Sequence, residues 1–96
     1  FTHLVCLTLR GPSEERVVFS AAHLVRQLRP RLPANAILSD PAPAPLARAK
    51  GLFRYQVMIR CPSVKAITEP LRQVMQGLTW PAKTMCTVDV DALNLM

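Results

Sequence analysis

Long hydrophobic runs are missing from this chain: nowhere do about 18 apolar residues follow one another, so a helical membrane span is excluded and no membrane partner is expected. The opening Phe1-Thr2-His3 sets no charged segment ahead of an apolar one, and no secretory leader is read there. Cysteine is scarce. Cys6, Cys61 and Cys86 stand far apart, with no Cys-x-x-Cys pair and no histidine beside any of them, which argues against structural zinc. Their odd number argues against a disulfide framework, and they read as reduced, mostly buried side chains of a cytosolic protein. With three glycines in all, neither a Walker-type nor a dinucleotide-type phosphate loop is present. His3 and His23 have no nucleophile at motif spacing, so no catalytic residue is assigned and no metal or cofactor is expected within these residues. Acidic residues are also few, six against twelve lysines and arginines, a net charge of +6. That excess favours an anionic partner such as nucleic acid, an acidic peptide or a phosphate-bearing surface, and leaves open the bland reading of a solvated basic exterior.

What is there is enough apolar sequence for a core: half of the 96 residues are apolar, and residues 1–96 read as one domain. The absence of an initiator methionine makes a fragment of a longer chain the expectation. His3 to Arg10 alternates as a strand, with Val5, Leu7 and Leu9 toward the core and Cys6, Thr8 and Arg10 outward. Gly11-Pro12 breaks it, Ser13 can cap a helix, and Glu14 and Glu15 suit the positive end of the helix dipole. Val17, Ala21, Leu24 and Leu28, joined by Val18 and Val25, repeat at helical spacing, while Arg16, Ser20, His23 and Gln27 form the polar face. Pro30 and Pro33 stop that helix, and Arg26, Arg29 and Arg31 read as charges at its negative end before they read as contacts.

Ala36 to Ser39 starts a short strand at a sheet edge, and Pro41, Pro43 and Pro45 then stiffen an extended arm that lacks a full hydrogen-bond ladder. After Gly51 the best strand of the chain runs from Phe53 to Cys61, apolar at odd positions, with Arg54, Gln56, Met58 and Arg60 on the opposite face. Inward Phe53 and Tyr55 leave no exposed aromatics for base stacking, which argues against an RNA-recognition sheet. Ser63 can cap a second helix with Ile67, Leu71, Val74 and Leu78 as its buried stripe, and Pro70 predicts a kink or a fresh start. A connector containing Trp80 leads to a last strand, Thr84 to Val90, with Cys86, Val88 and Val90 inward. Asp89 and Asp91 are too few for a cation site and are expected to pair with Arg10 or Lys83. The order strand-helix-strand-strand-helix-strand is the α+β, ferredoxin-like plan: a four-stranded antiparallel sheet with both helices on one face. That fold alone assigns no function.

What survives these exclusions is cationic. Arg48, Lys50, Arg54 and Arg60 fall on one turn and one strand face, and Arg10 on the neighbouring strand can join them to make a patch for phosphates. The same stretch carries a family likeness. Pro43-Ala44-Pro45, the basic Arg48, Gly51, Phe53-Arg54-Tyr55-Gln56, the apolar strand and Pro62-Ser63 resemble the C-terminal domain of the bacterial replication-restart helicase family PriA, primosomal protein N′. Asp89-Val90-Asp91 and Ala92-Leu93-Asn94-Leu95-Met96 resemble that family's closing segment, and Phe1-Thr2-His3-Leu4 its entry.

The resemblance implies the same ferredoxin-like plan, akin to a small-subunit ribosomal protein. It also implies a non-catalytic module that holds branched or single-stranded DNA and supports primosome assembly at stalled forks. ATP, magnesium and zinc would belong to other parts of the parent, a 3′-to-5′ DNA helicase of the bacterial cytoplasm. Single-strand-binding protein is the implied partner for Lys65, Thr68 and Arg72 on the second helix, beside other primosome proteins, and a monomer is expected. The alternatives are a docking scaffold for neighbouring domains or for that partner's acidic tail, without DNA binding, and more remotely a small-molecule sensor using Gly11.

Overall fold

Alternation beginning at His3 builds the strand around which the others assemble. A computed structural model describes residues 2–90, with the backbone alone at 46–49, and gives the order β1 (His3–Gly11), α1 (Glu14–Leu28), β2 (Ile37–Leu38), β3 (Ala42–Ala49), β4 (Leu52–Cys61), α2 (Val64–Gly77) and β5 (Met85–Val90). One 3-10 turn, Arg29–Arg31, follows α1 where Pro30 ends it. The fold is thus α+β: two helices and an antiparallel sheet of five strands rather than the expected four, because the proline arm itself pairs with β4, and it is compatible with a ferredoxin-like plan. The expected closing segment Ala92 to Met96 and the expected pairing of Asp91 lie outside the described residues.

Strand order is β2-β4-β1-β5, with β3 on the same outer edge of β4 as β2. β1 therefore pairs on both sides, with β4 from His3↔Cys61 to Gly11↔Phe53 and with β5 from Val5↔Val90 to Arg10↔Met85. Burying the odd positions of β1 and β4 sets this register, because a one-residue slip would turn Leu7, Leu9, Val57 and Ile59 into solvent. These four side chains join Leu24 and Leu28 of α1 and Ile67 of α2 in one buried cluster.

The opposite face of β1 is less open than its alternation implies. Cys6 is 1% exposed and Thr8 6%, because short side chains on a central strand are shielded by longer neighbours, here Met58 and Gln56 across the pair. Two positions of α1 exchange roles in the same way. Val18 is exposed and Ser20 buried, since the buried arc follows Val17, Ala21, Leu24 and Leu28 and takes in Ser20 on its flank. The Ser13 hydroxyl accepts from the Arg16 amide at 3.4 Å, as a cap should, whereas Ser63 makes no such bond. Of the kink or fresh start expected at Pro70, the fresh start does not occur: α2 is one helix from Val64 to Gly77. Ile67 and Leu71 bracket the proline and are buried; at about 1.5–3 kcal/mol each they outweigh a proline cost of about 3 kcal/mol.

The proline arm is itself a strand, paired at both ends rather than free-standing. Ala42 and Pro43 sit opposite Gln56 and Tyr55, Arg48 and Ala49 opposite Phe53 and Leu52, so the residues between Pro43 and Arg48 bulge out beside Arg54. Between β2 and β3 the ladder is kept by one side chain. The Ser39 amide donates to the Met58 carbonyl at 2.9 Å, and the Met58 amide donates to the Ser39 hydroxyl at 2.8 Å in place of a backbone carbonyl. Ser39→Ala strands that half-buried amide and is expected to lower unfolding free energy by about 1–2 kcal/mol, read by urea denaturation with an unchanged m-value.

Candidate functional site

Antiparallel register places Arg10 of β1 directly opposite Arg54 of β4. Like charges facing each other across a sheet are unfavourable, and among the described residues no carboxylate forms an ion pair with either one. The Arg10 guanidinium reaches toward β5 and contacts the Met85 sulfur at 4.0 Å, while Nε of Arg54 is buried with no hydrogen-bond partner. Both arginines fall on the sheet face opposite the core cluster, and with Lys50 and Leu52 they line a cleft of about 260 Å³. Three cations around one apolar floor are suited to an oxyanion such as a phosphate.

Lys50 gets there through the turn. Ala49 pairs with Leu52, which leaves Lys50 and Gly51 as a two-residue hairpin loop, and their φ angles of +53° and +76° are those of a type I′ turn. Glycine adopts this freely, but a lysine in the left-handed region is disfavoured by about 1–2 kcal/mol. Asparagine is the usual residue at that place.

The remaining expected positions divide. The backbone of Arg48 lies just before the turn, opposite Phe53. Arg60 shares the strand face of Arg54 but sits six residues on, about 20 Å along the strand, beside Ile37 and Asn35 in a separate cleft. The structure therefore brings together Arg10, Lys50 and Arg54 and leaves Arg60 apart. Asp89 does not reach Arg10: it lies opposite Cys6, four residues along β5 from the partner of Arg10. Leu52, the apolar floor of the cleft, was not among the expected site residues; a lysine-glycine pair between two strands was the available signal for the turn that positions it.

A second concavity lies between α2 and β5. Thr68 and Arg72 line it with Ile67, Leu71, Val88 and Val90, around about 360 Å³, and Lys65 is exposed on the same helix outside that lining. The inward valines of β5 are consequently incompletely covered, Val88 at 41% and Val90 at 53% exposure. Thr68 donates its hydroxyl proton to the Val64 carbonyl at 2.9 Å, and Arg72 is hydrogen-bonded and ion-paired with Glu69. That contact holds the Glu69 carboxyl below its usual range and raises Arg72. Burial pushes the Cys86 thiol up to about 11 and also raises Cys6, so neither is poised as a nucleophile.

Comparison with known proteins follows the chain from end to end. The family model described as "Primosomal protein N C-terminal domain" matches residues 1–93. The chain is 26% identical over 94 residues to the replication restart protein PriA of Chlamydia muridarum, covering 98% of this chain and 12% of that protein. The corresponding protein of Synechocystis is 29% identical over 92 residues, 96% of this chain and 10% of the relative. That of Treponema pallidum is 24% identical over 96 residues, with 100% and 15% covered. The chain thus spans only about a tenth to a seventh of the length of these relatives. Among solved structures, the de novo designed protein Foldit4 superposes with a TM-score of 0.68 at 12% identity, covering 94% of this chain and 96% of that one, a likeness of fold alone. For the hairpin lysine the geometry carries a direct expectation: Lys50→Asn relieves the left-handed strain and raises unfolding free energy by about 0.5–1 kcal/mol, measured by thermal and urea denaturation.

Proposed function

The chain belongs to the primosomal protein N C-terminal domain family, and from that premise we propose that it is the DNA-holding module of a replication-restart helicase. It grips single-stranded or branched DNA by its phosphates through Arg10, Lys50 and Arg54, with Arg48 beside the turn, and so supports primosome assembly at stalled forks. The observation that carries this reading is the Arg10–Arg54 opposition: a like-charge pair across a sheet, without a carboxylate ion-pair partner among the described residues, gains most from an external anion. Net charge of +6 supports it at longer range. Contacts of this kind read no base, so affinity is independent of sequence and falls with salt.

The sheet is read here as ferredoxin-like, with both helices on the core face and the cationic cleft on the other. The module carries no catalysis of its own; ATP, magnesium and zinc act elsewhere in a parent DNA helicase of the bacterial cytoplasm. The domain works as a monomer. Arg60, about 20 Å from Arg54 and in a separate cleft, stands outside this grip.

A second reading has an observation of its own, the apolar groove between α2 and β5 with Thr68 and Arg72 at its rim. The groove suits a short peptide bearing an apolar side chain next to a carboxylate, such as the acidic tail of single-strand-binding protein. Such a peptide competes with Glu69 for Arg72 in an exposed pair, an exchange of about 1 kcal/mol or less. In this form the domain is a docking scaffold, with Lys65 adding charge nearby.

Fluorescence anisotropy of the 96-residue chain with single-stranded and forked oligonucleotides at two salt concentrations tests the first reading. Arg10→Ala with Arg54→Ala is expected to weaken every oligonucleotide alike and to reduce the single-strand salt slope by about 1.4, two contacts at about 0.7 each. Unchanged binding by that double variant overturns it. For the groove, Arg72→Glu is expected to weaken a labelled acidic tail peptide at least about tenfold while leaving the salt slope for single strands in place, and an unchanged peptide affinity overturns the docking reading.

A further inference from the structure

Two residues other than glycine have positive φ among the described residues, and both are lysines: Lys50 at +53° and Lys83 at +64°. Each is held in a region that costs an L-residue about 1–2 kcal/mol and that glycine or asparagine would occupy more cheaply. They also lie at the same end of the sheet. β1 ends at Gly11, where antiparallel β4 and β5 begin; Lys50 precedes β4 in the hairpin turn, and Lys83 stands two residues before Met85, the partner of Arg10.

Gly11 is what lets the Lys83 turn close in. A Cβ at position 11 would stand 3.3 Å from the Lys83 carbonyl oxygen, 3.3 Å from Oγ1 of Thr84 and 3.2 Å from Cγ2 of Val17. The chain between α2 and β5 is thereby packed directly against the residue that follows Arg10, and Lys83 itself is exposed. In strand order the cationic residues run from the β3–β4 turn through β4 and β1 to the start of β5: Lys50, Arg54, Arg10, Lys83. With neighbouring strands about 4.8 Å apart, the two steps from β4 through β1 to β5 span about 10 Å across the end of the sheet, and Lys50 lies further out along β4, four residues before Arg54. A row of cations of this kind can follow successive phosphates of one strand without reading its bases.

Among the described residues, no ion pair takes up any of these four cations. Glu14 accepts from the Tyr55 hydroxyl at 3.0 Å, and Tyr55 faces the opposite side of β4 from Arg54. Asp89 is six residues from Lys83, and the ion pairs of Arg29 with Asp40 and Arg72 with Glu69 involve none of the four.

We propose that Lys83 is a phosphate contact of the same site, so that one strand's sugar-phosphate backbone is held crosswise over the sheet end between two left-handed lysines. This rests on the nucleic-acid reading given above and adds to it a residue and a direction. Arg60 lies off the line.

The test compares Lys83→Asn and Lys83→Gln with Arg10→Ala/Arg54→Ala and with Arg60→Ala, by salt-dependent anisotropy on single-stranded oligothymidylate. Asparagine removes charge and strain together, whereas glutamine removes the charge and keeps the strained backbone. Both Lys83 variants are expected to lower the salt slope by about 0.7, with Lys83→Asn melting at or above the parent temperature and Arg60→Ala keeping the parent slope. A parent slope in both Lys83 variants, alongside a reduced slope in Arg10→Ala/Arg54→Ala, overturns the role of Lys83 and leaves the cleft reading standing. Parent slopes in all of the variants overturn the nucleic-acid reading and this one with it.

Discussion

The β1–β4 register is the constraint on which the rest depends. Leu7 faces Val57 and Val5 faces Ile59, and all four are buried, so the two strands can pair in only one alignment without exposing the core. That alignment brings Arg10 opposite Arg54 as a by-product. Burying one such apolar side chain contributes about 1.5–3 kcal/mol, while a like-charge pair across strands costs about 0.2–1 kcal/mol. The core therefore holds together two cations that would separate if left to themselves, and that enforced proximity is what makes the sheet end attractive to an anion.

The outer edge of β4 is handled differently along its length. β2 covers its C-terminal part, the Ser39 hydroxyl stands in for a carbonyl at Met58, and the proline-bearing β3 covers the rest through a bulge. Proline and bulge together blunt an edge that would otherwise invite another chain. The hairpin that returns from this edge carries Lys50 to the cleft, so the segment that protects the sheet also supplies part of its charge. On the other side, β5 leaves Val88 and Val90 half covered beside α2, and the second concavity follows from that.

Periodicity made most of this legible beforehand. The alternation from His3, the helical repeat of Val17, Ala21, Leu24 and Leu28, and the Pro62-Ser63 break before the second helix each correspond to an observed element, because each is a local pattern that the core rewards. Local rules failed where neighbours decide. Cys6 and Thr8 are covered by side chains from an adjacent strand, Ser20 is caught at the rim of the helix interface, and Pro70 is tolerated because Ile67 and Leu71 are buried on either side of it. The cationic stretch was visible as composition, but its division was not: spacing put Arg54 and Arg60 on one face without saying that about 20 Å of strand separates them.

By itself the sequence determined most of the elements, the core faces of β1 and β4 and the buried stripes of the two helices, the excess of positive charge and the family likeness, since all of these are encoded in residue type and near-neighbour spacing. Only the tertiary structure decided which charges meet. Arg10 and Arg54 are 44 positions apart in the chain, and Lys83 is 72 from Gly11. Antiparallel register and the close packing allowed by Gly11 bring them to one end of one sheet, and those are contacts made across the sheet by the core, with no trace in the spacing of the residues themselves.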